Sequence, residues 1–119
     1  MERRYRLRGR ARFLEVHERG QRWFHPLAML GGLPNGLEYT RCGFIVSRKL
    51  GGAVERNRVR RRLREAVRLL YQQIRPGWDL VWVARPPSAR ADFTAISAAV
   101  GQLLGRAGLY LPPEEEGHA

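Results

Sequence analysis

One stretch, residues 53–74, restricts the fold more than any other part of the chain. Val59, Leu63, Val67, Leu70 and Ile74 step by four, four, three and four. That spacing lines them along one side of an α-helix, and the side needs a packed partner. The remaining surface is cationic. Residues 48–68 carry Arg48, Lys49, Arg56, Arg58, Arg60, Arg61, Arg62, Arg64 and Arg68, against only Glu55 and Glu65. Such a helix can be buried along one stripe and no further, so it lies on the outside of a small core. At about 100° per residue, Asn57, Arg60, Arg61, Arg64 and Arg68 share an arc beside the apolar stripe. Solvated helix faces usually mix signs, because like charges four residues apart repel. A face that keeps the repulsion points to a polyanionic partner.

The other segments supply a sheet and two more helices. Residues 11–19, with Phe13, Val16 and His17 at helical spacing and Gly20 as a stop, predict a short first helix. Residues 26–30 read as a strand, the glycine-rich 31–36 as a turn, and 39–48 as a second strand antiparallel to the first. Residues 78–84, aromatic and β-branched, predict a central strand. Residues 86–88 read as a loop, and 91–107 as a last helix burying Phe93, Ile96, Val100 and Leu103. Trp23, Phe24, Trp78 and Trp82 read as packing residues. The order α-β-β-α-β-α, with room for one more strand near the turn, predicts an α+β fold. It is a single-domain α/β sandwich, with helices packed on one small, mostly antiparallel sheet. Residues 1–111 form that domain, with 1–10 a basic arm ordered only in part. Residues 112–119 read as a disordered acidic tail.

Composition narrows the function. The chain has 22 Lys+Arg against 11 Asp+Glu, a net charge of +11, which suits nucleic acid. No apolar run reaches the ~18 residues of a spanning helix, and the basic N-terminus lacks the apolar core of a signal peptide. A cytoplasmic protein without a membrane partner is expected. Cys42 is the only cysteine and reads as a buried small residue, with no disulfide or cysteine-based metal cluster. His17, His25 and His118 lack metal-ligand spacing, Ser47 and Ser88 lack a nucleophile motif, and the phosphate-binding loop of nucleotide hydrolases is absent. No catalytic residue and no metal or cofactor held by the protein alone are therefore expected. Gly51-Gly52 either presents backbone N–H groups to a phosphate or simply starts the helix. Phe13 and His17 stack on unpaired bases if their side of the first helix faces a groove, and are core otherwise. A half-buried helix enters a DNA major groove poorly, so structured RNA is the expected ligand and DNA is not.

The run Arg48-Lys49-Leu50-Gly51-Gly52-Ala53-Val54-Glu55-Arg56-Asn57-Arg58-Val59-Arg60-Arg61, continuing through Arg64-Glu65-Ala66, closely resembles the signature of the bacterial ribonuclease P protein family. Supporting blocks follow in order: Arg12-Phe13, residues 43–47, Gly77-Trp78-Asp79-Leu80-Val81, Ala84-Arg85-Pro86 and Asp92-Phe93. The resemblance implies a left-handed βαβ crossover carrying the basic helix. It implies that Arg56, Asn57, Arg58, Arg60, Arg61 and Arg64, with Arg48 and Lys49 beside them, bind the catalytic RNA. A groove on the first helix would take the 5′ leader of precursor tRNA, using Phe13, His17 and Ser47. The RNA, with Mg²⁺ in the RNA-containing holoenzyme, would cut the leader to leave the mature 5′ end. The chain departs from the family at His17, where a second aromatic is common, and at Gly31, which replaces an aromatic. A ribosomal or other structured-RNA-binding module shares the charge pattern, but leaves the ordered blocks outside the basic helix unexplained.

Overall fold

The computed structural model describes residues 2–111; the tail expected over 112–119 lies outside them. Three helices, α1 (Arg10–Arg19), α2 (Ala53–Leu70) and α3 (Phe93–Ala107), pack on four strands, β1 (Gln21–Phe24), β2 (Ala28–Pro34), β3 (Arg41–Ile45) and β4 (Trp78–Ala84). The strands lie in the order β1-β2-β4-β3. β1 pairs antiparallel with β2, β2 antiparallel with β4, and β3 parallel with β4. Helix α2 is the crossover of the parallel β3–β4 pair. Among the described residues no helix is long and apolar enough to cross a membrane.

Alternation along the strands divides the sheet into two unlike faces. Leu30, Leu80, Trp82 and Cys42 point toward α2 and α3, where Val59, Leu63, Val67, Ile96, Val100 and Leu103 complete the main core. The helices keep that face because their apolar stripes run its length. Asp92 caps α3 by accepting from the Ala95 N–H at 2.8 Å. Gly108, at φ +70°, ends α3 in a left-handed turn. The opposite face carries α1 alone, over a small cluster of Leu7, Val16 and Val81.

The structure corrects three sequence expectations. The segment 26–34 is not a strand followed by a turn. A two-residue turn at Pro26-Leu27, closed by reciprocal His25–Ala28 backbone bonds, joins β1 to a β2 that runs through Gly31, Gly32 and Pro34. Gly32 serves close packing instead of chain reversal. A Cβ on Gly32 would lie 3.1 Å from Leu80 Cδ2 and 3.3 Å from Trp23 Cζ3, and one on Gly20 would lie 2.5 Å from the Gly32 carbonyl oxygen. Nor are β2 and β3 an antiparallel pair, because β4 inserts between them. Finally, Phe24 is not packed: it is 56% exposed, since alternation on the edge strand β1 sends Trp23 to the main core and Phe24 to the sparsely covered face. The α2 pattern also changes register near its end. Tyr71–Gln73 tightens to a 3-10 turn, with the Tyr71 hydroxyl donating to the Thr40 carbonyl, and Ile74 remains buried.

Candidate nucleic-acid interface

Helix α1 meets the sheet at two anchored points. Near its start, Arg12 Nε donates to Asp79 Oδ2 at 2.6 Å, while Arg41 donates to both Asp79 oxygens at 2.8 and 2.6 Å. Asn35 Nδ2 supplies a third donor group at 3.0 Å. The Asp79 side chain has no exposed surface. Burial alone would raise its pKa, but the hydrogen bonds from Arg41, Asn35 and Arg12 hold it below the ordinary carboxylate value. At the far end, Gly20 lets α1 turn directly into β1 against the Gly32 backbone. Between these points only Val16 is fully buried, so a gap remains on either side of it.

That gap is a cleft of about 320 Å³. Phe13, Leu14 and His17 form its helical wall, and Met29, Gly31, Ile45, Val81 and Val83 its apolar floor. Arg10 and Arg22 stand at its rim. Gly31 contributes no side chain, which leaves the floor open where a larger residue would fill it. Phe13 is half-buried over β3. Its ring comes so near Gly43 that a Cβ there would sit 2.3 Å from Phe13 Cζ.

Beyond the same ring lies a smaller recess of about 180 Å³, bounded by Phe44, Arg6, Arg60 and Arg64. Burial, and the neighbouring charges of Arg6 and Arg60, push the Arg64 guanidinium below the ordinary arginine value. Arg64 also lies 5.8 Å from the centre of the Phe44 ring. Phe13 is thus a shared wall, with an apolar cleft on one side and converging cations on the other.

The structure sorts the predicted RNA-binding residues. Asn57, Arg60, Arg61 and Arg64 line one surface hollow of α2 with Val54, Arg60 and Arg64 half-buried, and Asn57 Oδ1 accepts from Arg60 at 2.8 Å. Arg48 and Lys49 are exposed on a 3-10 turn before the helix. Among the described residues none of Arg48, Lys49, Arg56, Arg60, Arg61 and Arg64 has an ion-pair partner. Arg58 turns away from the patch toward the Ala89 carbonyl at 3.5 Å, and Arg62 donates to the Ala91 carbonyl at 2.7 Å. Arg68 is held by Glu65 at 2.6 Å. At the helix start Glu55 folds back on Gly51 and Gly52, with its carboxylate beside Gly52. In the leader set, Phe13 and His17 line the cleft. Ser47 is exposed two residues past Ile45 and does not line it.

Sequence reasoning missed the Arg12–Asp79–Arg41 knot and the part of Arg6. A signal existed for the first: a lone carboxylate inside the most apolar strand needs buried cationic partners.

Comparison with known proteins covers nearly the whole chain. Residues 1–108 match the family described as Ribonuclease P. The ribonuclease P protein component of Roseiflexus castenholzii is 52% identical over 110 residues, covering 92% of this chain and 90% of that one. That of Herpetosiphon aurantiacus is 43% identical and covers 99% of both. Among solved structures, the RNase P protein of Thermotoga maritima superposes with a TM-score of 0.78 at 32% identity, covering 85% of this chain and 96% of its own. The RNase P protein of Staphylococcus aureus does so with a TM-score of 0.83 at 26% identity, covering 89% and 97%. On the strength of the full-length match, the chain belongs to the ribonuclease P protein family.

Proposed function

We propose that this chain lays the 5′ leader of precursor tRNA in the α1 cleft while the α2 patch docks on the catalytic RNA. The assembly would then remove the leader endonucleolytically, in the cytoplasm. The observation that carries the reading is the position of Phe13 between the two surfaces. A single strand whose bases stack on Phe13 and lie on the apolar floor would run within one ring's width of Arg6, Arg60 and Arg64. These cations sit where RNA backbone would neutralise them. His17 offers a flat second ring on the same wall, and Arg10 and Arg22 offer charge at the rim. Arg48, Lys49, Arg56, Asn57 and Arg61 extend the RNA-docking surface, and Ser47 sits at its junction with β3.

The chain's own donors suit a supporting role. Among the described residues no three His, Cys, Asp or Glu side chains are gathered to hold a metal, and Asp79 is locked by two arginines. Mg²⁺ bound by the RNA would supply the activation of water and the stabilisation of the leaving oxygen. The protein holds the leader, screens phosphate repulsion and fixes the two RNAs relative to one another.

Reconstitution tests this. The isolated protein should not cleave precursor tRNA at any Mg²⁺ concentration, and should restore cleavage at the mature 5′ end when added to a bacterial ribonuclease P RNA at modest Mg²⁺. In that holoenzyme Phe13→Ala should weaken precursor binding by ~1–3 kcal/mol and leave mature tRNA binding unchanged. Robust cleavage by RNA-free protein would overturn the reading. So would a Phe13→Ala protein that only melts earlier, by the several kcal/mol typical of a core phenylalanine.

A further inference from the structure

Beside the cleft lies a surface that the reading above leaves unused. Phe24 ends β1, its register partner is Met29, and Met29 in turn pairs with Val83. Both partners line the cleft. The exposed Phe24 ring therefore stands on the cleft side of the sheet, two residues beyond Arg22. Past it opens a hollow of about 550 Å³ walled by Phe24, His25, Pro26, Arg85, Pro86 and Pro87. The sheet order puts β1 and β3 at opposite edges. Phe24 is thus at one end of the cleft, and the Phe13–Gly43 contact with its arginine recess at the other.

The chemistry of this hollow is specific. Its walls combine an aromatic ring and three prolines, flat or rigid and apolar, with the His25 ring and the Arg85 side chain. Arg85 lines it, Arg106 reaches the Phe24 backbone beside it and Arg22 lies two residues back along β1, and among the described residues none of the three has an ion-pair partner. Arg106 donates to the Phe24 carbonyl and Arg85 to the His25 carbonyl. The end of the edge strand is therefore already engaged, and an incoming polypeptide strand finds fewer free acceptors there. Flat apolar faces beside uncompensated guanidiniums fit an unpaired nucleotide, with its base on a ring and its phosphate on an arginine.

We propose that Phe24, backed by Pro26, Pro86 and Pro87 and flanked by Arg85, is a second stacking subsite for the single strand held in the cleft. The subsite rests on the leader reading given above. Because the arginine recess faces the catalytic RNA in that reading, Phe24 takes a nucleotide farther from the cleavage point, toward the 5′ end of the leader. The cleft and this subsite form one track across the sheet from β3 to β1.

A leader-length series in the reconstituted holoenzyme tests the proposal. Precursors shortened from the 5′ end one nucleotide at a time are bound to wild type, Phe13→Ala, Phe24→Ala and Phe24→Trp. With long leaders Phe24→Ala should weaken binding about 5–10-fold, the low end of a base-stacking contact, and Phe24→Trp should bind like wild type. The Phe24→Ala penalty should vanish below a threshold leader length, while the Phe13→Ala penalty persists to shorter leaders. The Phe24→Ala melting midpoint should match wild type, as the side chain is exposed. No Phe24→Ala penalty at any length, or an equal penalty on mature tRNA, overturns the subsite while a leader-dependent Phe13 keeps the cleft reading intact. A Phe13→Ala penalty that ignores the leader overturns the cleft reading and the subsite with it.

Discussion

Around Asp79, two guanidiniums close on a carboxylate that has no contact with water, and each lies within 2.8 Å of it. Along α2, by contrast, Arg60, Arg61 and Arg64 face outward with no carboxylate in ion-pair range among the described residues, and Arg64 is pressed further by Arg6. The residue type is the same in both places, but the free-energy consequences are opposite. The first set fastens α1, β3 and β4 together, and Asp79, with Glu15 accepting from Arg12 at 2.6 Å, balances its two arginines within the fold. The second carries a repulsion that only a polyanion relieves. Net charge alone therefore overstates the binding surface, because part of the arginine content is structural.

The sharpest way to break this contrast is at the knot. Asp79→Asn leaves Arg41 without a counter-charge and Arg12 with Glu15 alone. It should cost about 3–5 kcal/mol of stability, nearer the lower figure since both guanidiniums are partly exposed. The pH dependence has a definite sign. Asp79 is held below its ordinary value, so its contribution is complete above the unfolded carboxylate pKa of about 4 and is lost as pH falls through the lower folded value. Urea midpoints measured from neutral pH into acid should show this loss in wild type and not in Asp79→Asn.

A smaller effect separates arginines within α2 itself. Arg62 donates to the Ala91 carbonyl and ties the helix to the segment leading into α3. Arg62→Ala should cost about 1–2 kcal/mol and leave the salt dependence of RNA binding unchanged. A large change in the salt slope would move Arg62 to the RNA-facing set.

The smallest effects on the fold belong to the outward patch. Arg60→Ala, Arg61→Ala and Arg64→Ala should each shift stability by less than ~0.5 kcal/mol. Each should lower the slope of log affinity against log salt by ~1. Arg68→Ala is the internal control, since Glu65 already holds Arg68, and its slope should stay near wild type. Salt titrations of binding to the RNA subunit read all four. Unchanged slopes at Arg60, Arg61 and Arg64 would mean that the patch is merely solvated.

Much of this arrangement is readable in the sequence where periodicity is strong. The stripe Val59-Leu63-Val67 and the run 78–84 locate α2 and β4, because each element buries a continuous face and alternation or helical spacing records it. The basic arc is legible for the same reason. What escaped depended on neighbours distant in the chain. β1 carries Gln21, Arg22 and an exposed Phe24, so burial leaves little pattern on it. Gly31-Gly32 looks like a turn until Trp23 and Leu80 are seen to crowd Gly32. Arg58 and Arg62 lie near Arg60, Arg61 and Arg64 in sequence, and only the position of the 86–91 segment sends them elsewhere.

The insertion of β4 between β2 and β3 also constrains the order in which the molecule can assemble. Residues 28–45 leave the ribosome with two strands that are adjacent in the chain yet forbidden to pair with each other in the finished sheet. Arg41 waits for Asp79, 38 residues downstream, and the slot between the strands must stay open until α2 has been made and has crossed over. Such distant pairings slow folding, and here the central strand is the last of the four to arrive. The cleft floor, which takes Val81 and Val83 from that strand, cannot exist before it is in place. The surface that would receive RNA is thus completed by the same event that closes the sheet.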